Sequence, residues 1–290
     1  MSYLVAILAV VTPAALSLGW RSLARIGAAL PSQSAVLITG CSPGSIGFTT
    51  AATLAAKGAT VFATVRKPAD AEALRELPDR LVVPFLCDVS RPADIARLKS
   101  EIKNELIARP TLSFTGLVNN AGINPTDPDG LSVSVLEQVL AVNLIGPYRL
   151  TEELLPLLTP LGAATPGAAR IVNVGSYFGS FLAGKAHVSY AASKHALEPF
   201  SDGLRRRLRS QGMHVALVKP GNIATNMNTQ YAEGGAQPVA DAISDALFST
   251  APRTRYYPGT FGGMPNRLAC SLFAVLPDRV GDAIWKRILG

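Results

Sequence analysis

At 290 residues with 48% hydrophobic side chains, the chain can fill one large core or two small ones, which excludes a disordered or fibrous protein. Its 27 Lys+Arg against 20 Asp+Glu leave a charge of +7, but the only basic run is Arg205, Arg206, Arg207 and Arg209, which reads as a solvated helix face rather than a nucleic-acid or lipid-headgroup site. Cys41, Cys87 and Cys270, with His187, His195 and His214, show no metal-ligand spacing, which points to a reducing compartment and no metal site.

Residues 3–20 carry no charged side chain, and no acidic residue precedes Asp70. That run is about the minimum length of a membrane span. Arg21 and Arg25 follow it instead of preceding it, unlike the basic start of a signal peptide. Placed on the cytoplasmic side, they leave the rest of the chain there too. Residues 1–30 are therefore expected to form a membrane anchor, with an interfacial helix as the alternative. Pro13 interrupts the helix ladder, an interruption that membrane helices tolerate.

Beyond Pro31, strand candidates alternate with helix-like segments. Residues 35–38 read as a strand, 49–57 as a helix ended by Gly58, and 60–65 as a second strand. A strand at 81–86, a helix from 92 to about 108 and a strand at 116–118 follow, with further strands expected at 170–174 and 215–218. Strands separated by helices of this length pair in parallel through right-handed crossovers, because parallel neighbours need a long connection. The expected fold class is α/β, a doubly wound parallel sheet in a single domain over residues 31–290. No repeat or low-complexity tract interrupts it, and LGAATPGAA before Arg170 reads as a surface loop.

In such a fold, ligands sit beyond the carboxyl ends of the strands. The residues there are TGCSPGSIG at 39–47, Arg66-Lys67, Asp88-Val89, NNAG at 119–122, Gly175-Ser176 and KPGNIAT at 219–225. Together with YAASK at 190–194 and Asn143 in AVNLIGPYRLTEELLPLL, they resemble the short-chain dehydrogenase/reductase family from about residue 35 to the C-terminus. YAASKHALEPFSDGLRRRLR and LPDRVGDAIWKRIL look most like the branch acting on retinoids, steroids and other lipids. The resemblance implies a Rossmann fold, an NAD(P) cofactor and a homo-oligomer.

The glycine loop departs from the family's T-G-x-x-x-G-x-G by one extra residue, with Ser45 where the middle glycine would lie if Gly47 is aligned. Small residues still permit backbone amides to approach a pyrophosphate at a helix N-terminus, and Ser42 and Ser45 offer hydroxyl donors. Arg66 and Lys67, with no acid before Asp70, favour the phosphate of NADP over the ribose hydroxyls of NAD. By resemblance, Asp88 would bond the adenine amino group, though capping of the following turn fits it nearly as well. The expected cofactor contacts are Gly40, Ser42, Gly44, Ser45, Ile46, Gly47, Arg66, Asp88, Val89, Asn119, Asn120, Ala121, Gly122, Tyr190, Lys194, Pro220, Gly221, Ile223 and Thr225.

Tyr190 and Lys194, four residues apart, share one helix face. A tyrosine titrates near pH 10 in water, and a neighbouring ammonium favours the phenolate, so this pair suits proton transfer. The resemblance adds Ser176 as donor to the substrate oxygen and Asn143 as holder of a water relaying protons to Lys194. The family usually separates its serine and tyrosine by thirteen positions, but Ser176 is fourteen before Tyr190, with Ser180 and Ser189 as possible substitutes. Residues 226–238 are expected to form a mobile substrate lid, and Phe178, Phe181 and Leu182 an apolar pocket wall. After Pro277, Val280, Ile284 and Ile288 define an amphipathic helix suited to the domain or a membrane surface.

These expectations describe an NADP-dependent oxidoreductase exchanging a hydride with a carbonyl or secondary alcohol on a small apolar substrate. It would be membrane-associated on the cytoplasmic side, on an endoplasmic-reticulum-like or other intracellular membrane if the cell is eukaryotic. The competing reading is a non-catalytic relative that binds nucleotide or joins a membrane assembly. An extended-type epimerase or dehydratase is disfavoured by NNAG and by only 96 residues after Lys194 (290 minus 194).

Overall fold

The computed structural model describes residues 31–78, 80–158, 169–180, 185–227, 233–277, 279–281 and 283. The apolar segment 1–30, the wall residues Phe181 and Leu182, part of the lid segment, and Ile284 and Ile288 lie outside the described residues.

Seven parallel strands run in the order β3-β2-β1-β4-β5-β6-β7. They are β1 (Ser34–Ile38), β2 (Thr60–Val65), β3 (Val82–Leu86), β4 (Ser113–Asn119), β5 (Arg170–Val174), β6 (His214–Val218) and β7 (Arg255–Tyr256). β7 is absent from the sequence reading; its two residues are too short for any periodicity to register. β1 pairs with β2 on one side and β4 on the other, with Leu37 opposite Phe62 and Leu117. The winding reverses at β1, which opens a crevice at the carboxyl ends of β1 and β4.

Alternate strand residues feed two cores, one on each face of the sheet. Val36, Ile38, Val118, Val172 and Val218 pack with Leu54, Ile243 and Leu247. Leu37, Leu117, Ile171 and Val215 pack with Ile95, Leu98, Leu150 and Leu208 on the other face. Each buried side chain of this size contributes about 1.5 to 3 kcal/mol. The helices are α1 (Ile46–Ala56), α2 (Pro68–Arg75), α3 (Pro92–Ala108), α4 (Val133–Leu140), α5 (Gly146–Leu154), α6 (Val188–Leu208), α7 (Gln237–Phe248) and α8 (Asn266–Phe273), and all but α4 and α8 supply the covering residues.

Local chemistry explains the boundaries. α1 begins at Ile46 rather than at 49 because the Ser45 hydroxyl caps it, accepting from Phe48 N at 3.1 Å. It ends before Gly58, whose φ of +89° suits a residue without Cβ. Prolines open α2 and α3, where a missing N–H costs nothing. Between α4 and α5 a π-helical turn, Ala141–Ile145, shifts the hydrogen-bond register by one residue. A small antiparallel pair, β8 (Thr260–Phe261) with β9 (Met264–Pro265), precedes α8. Among the described residues no helix is long and apolar enough to cross a membrane.

Candidate active site

The segment after β1 forms an arch whose ends touch. A Cβ on Gly47 would lie 2.4 Å from the Gly40 carbonyl oxygen, and one on Gly40, at φ +73°, would lie 2.8 Å from Ala121 Cα. Gly44, at φ +77°, has the Asn226 side chain against it, and Asn226 Nδ2 donates to Pro43 O at 2.7 Å. The arch delivers the chain to the N-terminus of α1, where unpaired amides favour an anion. The Ser45 proton goes to Gly40 O at 3.2 Å while its oxygen caps α1, so Ser45 shapes the arch instead of offering the free donor expected of it. Ser42 accepts Ser45 N through its carbonyl at 3.1 Å, and Ile46 packs against the core.

Two adjacent asparagines separate in role. Asn120 Nδ2 donates to Thr39 O at 2.8 Å and Gly40 O at 3.1 Å, joining the end of β4 to the arch. Thr39 Oγ1 accepts both Asn120 N and Ala121 N at 3.0 Å, a fastening that sequence reading overlooked although Thr39 stands beside Gly40. The Asn119 side chain turns the other way. It is buried, donating to Asn173 Oδ1 at 2.8 Å, and Asn173 donates in turn to Ser201 Oγ at 2.9 Å. This places the Asn119 side chain in a polar chain within the core, because a strand residue's side chain alternates sides while the next residue leaves the sheet.

Beyond β2, Arg66 and Lys67 are exposed, with no acidic neighbour before Asp70. Asp88 accepts Ser90 N at 2.9 Å and Ser90 Oγ at 2.6 Å, the turn-capping arrangement. Val89 is buried, and its carbonyl lies 2.9 Å from where a Cβ on Gly146 would stand, so it braces the start of α5 beside the π turn.

α6 and the turn after β5 bring the proton-handling groups together. Lys194 is buried, donates from Nζ to Val174 O at 2.8 Å and lies 5.6 Å from the Tyr190 ring centroid. Burial pushes the Lys194 ammonium down to about 8. Burial pushes the Tyr190 phenol up to about 12, against a hydrogen bond with the Ser176 hydroxyl that lowers it. Ser176 also accepts Phe178 N at 3.2 Å. Of the alternative serines, Ser180 is taken up by Lys219 and Glu198, and Ser189 is buried in α6. The added residue between Ser176 and Tyr190 therefore leaves the serine at the phenol.

Asn143 lies in the π turn, 1% exposed, and its side chain is fully engaged. It accepts Ile123 N at 2.8 Å and donates to Ile123 O and Ser193 Oγ, both at 3.0 Å. Ser193 donates to Tyr190 O at 2.7 Å, so Asn143 reaches the tyrosine's turn through one hydroxyl. Gly122 sits between, where a Cβ would be 3.4 Å from Asn143 Oδ1 and 3.6 Å from Lys194 Nζ.

The segment after β6 completes the cleft. Pro220 O accepts Tyr177 N at 3.2 Å, and a Cβ on Gly221 would lie 2.2 Å from Thr260 O. Ile223 is buried and bridges to Gly234, while Thr225 Oγ1 accepts Met227 N at 3.3 Å. Glu233 gathers the neighbouring loops, accepting from Asn222 Nδ2 at 2.8 Å, Thr260 Oγ1 at 2.6 Å, Gly262 N at 2.7 Å and Gly263 N at 3.1 Å. Burial works against its charge, yet those bonds hold its carboxyl below the usual range. Phe178 stands edge-on to Tyr190 at 5.7 Å and to His187 at 6.0 Å. Tyr177 stacks against Phe261 at 5.0 Å, so an aromatic surface borders the tyrosine. Three groups to which the sequence assigns no role also stand here: His187, bonded through Nδ1 to Asn124 Oδ1 at 3.0 Å, and the pair Lys219 and Glu198.

A glycine arch at the switch point of a doubly wound sheet, with serine, tyrosine and lysine converging beyond β5, is the architecture of a dinucleotide-dependent oxidoreductase. The sequence profile of short chain dehydrogenase matches residues 34–235, and the chain belongs to the short-chain dehydrogenase/reductase family, NAD(P)-binding oxidoreductases acting on CH–OH groups. It is similar to "Uncharacterized oxidoreductase YbbO" of Escherichia coli K12, 34% identical over 87% of this chain and 94% of that one. Mouse "Retinol dehydrogenase 5" is also 34% identical, covering 90% of each chain, and the relatives support the retinol dehydrogenase-like branch. A short-chain dehydrogenase from Streptomyces avermitilis superimposes with a TM-score of 0.68 at 24% identity, covering 88% of this chain and 96% of that one, which shows the fold.

Proposed function

We propose that the chain is an NADP-dependent oxidoreductase that exchanges a hydride with a carbonyl or secondary alcohol on a small apolar substrate, and that it works at a membrane. The observation carrying this reading is the convergence of the Ser176 hydroxyl, the Tyr190 phenol and the Lys194 ammonium. The residues fit a dinucleotide: the packing of Gly47 on Gly40 and of Gly40 on Ala121 folds the arch so that it ends at the N-terminus of α1, where unpaired amides favour an anion. Gly40, Ser42, Gly44 and Gly47 would hold the pyrophosphate, Arg66 the ribose phosphate, Asp88 and Val89 the adenine, and Asn120, Ala121 and Gly122 the adjoining ribose. Pro220, Gly221, Ile223 and Thr225 would line the nicotinamide, which supplies or accepts the hydride when bound.

In reduction, the Tyr190 phenol gives its proton to the substrate oxygen while Ser176 donates a hydrogen bond to the same oxygen. In oxidation the proton returns to Tyr190. Burial favours the neutral phenol, which suits the acid role; Lys194, beside the ring, favours the phenolate needed for the reverse. Asn143 holds the π turn against Ile123 and the Tyr190 turn, where a water relaying protons to Lys194 would be positioned. The aromatic surface of Tyr177, Phe178 and Phe261 suits an apolar substrate, in keeping with the name of the retinol dehydrogenase relative.

For the membrane, the support is the uncharged run at 3–20 followed by Arg21 and Arg25, and we propose an anchor that leaves the catalytic domain facing the cytoplasm, with the protein acting as a homo-oligomer. Absorbance of NADPH and NADP during incubation with steroid, retinoid and acyl ketones and alcohols tests the activity; turnover of none of them removes the proposal. A chain starting at Pro31 is expected in the soluble fraction with NADPH binding intact, and full-length protein that is soluble without detergent removes the anchor.

A further inference from the structure

We infer that Lys219 and Glu198 form a buried ion pair that clamps the turn carrying Ser176, which makes both of them positioning residues for proton transfer. The inference rests on the catalytic reading of Ser176 above. Ser176 opens a single 3-10 turn, Tyr177–Gly179, and Ser180 closes it. At its opening, Tyr177 N donates to the carbonyl of Pro220, the residue after Lys219, at 3.2 Å. At its close, Ser180 Oγ accepts from Lys219 Nζ and lies 3.5 Å from Glu198 Oε1. In the middle, Gly179 rests on α6 so closely that a Cβ would lie 2.7 Å from Lys194 O and 3.1 Å from Glu198 Oε1. Both ends of the turn and its underside are thus tied to Lys219, to Pro220 beside it, and to one helical turn of α6 running from Lys194 to Glu198.

The pair is itself anchored. Lys219 Nζ contacts Glu198 Oε1, with side-chain exposures of 3% and 20%, and lies 5.6 Å from the Tyr257 ring centroid. Lys219 N donates to Tyr256 O at 2.8 Å, and its carbonyl accepts Asn266 Nδ2 at 2.7 Å. The second Glu198 oxygen lies 3.8 Å from Arg255 Nη2. A buried ion pair is weak evidence for stability, since apolar replacement is often neutral or better. What this one supplies is direction, because an ammonium held by a carboxylate fixes where the Ser180 hydroxyl must sit, and Ser180 is one turn from Ser176.

The test uses full-length Lys219→Met and Ser180→Ala, each alone and on Ser176→Ala, with kcat and KM measured on the carbonyl substrate that the panel yields and amide exchange measured over residues 171–180. Lys219→Met should lower kcat roughly ten- to a hundredfold, the cost of a small misplacement, with KM for NADPH unchanged. Ser180→Ala, which leaves the pair in place and carries the test if Lys219→Met does not fold, should lower kcat by a smaller factor. Both should speed exchange at Phe178 to Ser180, and neither should lower kcat further on Ser176→Ala, because a residue acting through Ser176 then has nothing left to position. Unchanged exchange, or the same fold-loss with and without Ser176, overturns the inference. If Ser176→Ala alone costs no rate while exchange responds as expected, the catalytic assignment of Ser176 has failed and the clamp on the turn stands.

Discussion

The Lys194 ammonium lies 5.6 Å from the centroid of the Tyr190 ring and spends a hydrogen bond on Val174 O at 2.8 Å, so it is held beside the phenol by the end of β5. Tyr190→Phe removes the proton carrier but almost no packing volume. It should abolish turnover and leave the NADPH dissociation constant nearly unchanged. Ser176→Ala should lower the rate by roughly 10² to 10³, the loss typical of one oriented donor. Steady-state rates decide both; a Tyr190→Phe protein as fast as the parent removes Tyr190 from the mechanism.

Lys194 also predicts a pH signature of stability. Its ordinary value of 10.5 falls to about 8 in the folded chain, so above pH 8 the unfolded chain binds more protons at this position than the native one. Its penalty is full below pH 8 and disappears as the pH rises to its unfolded value. Urea unfolding of parent and Lys194→Met should show the difference moving in the parent's favour by about 2 to 3 kcal/mol between pH 7 and 10.5. A pH-independent difference would contradict a buried, depressed lysine.

Gly47→Ala forces a methyl group to 2.4 Å from the Gly40 carbonyl. The arch must open, at about 1 to 3 kcal/mol of stability, the usual cost of overpacking. NADPH affinity should fall in parallel, measured by fluorescence titration. Normal affinity in a well-folded variant would show that the arch does not hold the nucleotide.

Arg66 is exposed at the end of β2. A charged pair with the ribose phosphate is worth about 1.5 to 3 kcal/mol, roughly ten- to a hundredfold in affinity. Competition titrations should find NADPH preferred over NADH in the parent and the preference largely lost in Arg66→Ala. Equal affinities in the parent would leave NAD as the better assignment.

Asn119 and Asn120 should respond oppositely to alanine. Asn119→Ala leaves Asn173 Oδ1 buried without its donor, at about 1 to 3 kcal/mol of stability, and should leave NADPH affinity alone. Asn120→Ala frees the carbonyls of Thr39 and Gly40 and should weaken NADPH binding. Thermal unfolding and titration on the two variants separate these effects; weakened binding in Asn119→Ala would show that its side chain also serves the cofactor.

The sheet is largely legible in the sequence because five of the six expected strands, all but 81–86, are buried on both faces, and buried parallel strands read as mostly hydrophobic stretches. α2, α4, α8 and β7 are too short to register as elements, α5 and α7 also have no counterpart among the expected helices, and the π turn is hidden because its hydrogen bonds leave no mark on residue type. Motif residues at strand ends were found where backbone geometry demands a residue type, as at Gly40 and Gly47. Side-chain destinations were not. Asn119 and Asn120 are identical letters that face a buried network and the arch, and Lys219 meets Glu198 only because β6 and α6 come together in the fold. Such pairings are long-range, and no local spacing encodes them.

The contact between Gly40 and Gly47 makes the chain between them a ribbon held by a clip. The clip sets the gauge: whatever lies in the ribbon, α1 sets out from the same place beside Gly40, with Ser45 covering its first turn. One residue more lengthens a curve whose ends are already pinned, and closure entropy changes only slowly with length. The surplus residue that spoils the family's lettering is therefore absorbed outside the clip's jaws, and counting positions across this stretch measures slack in the ribbon rather than distance to the nucleotide.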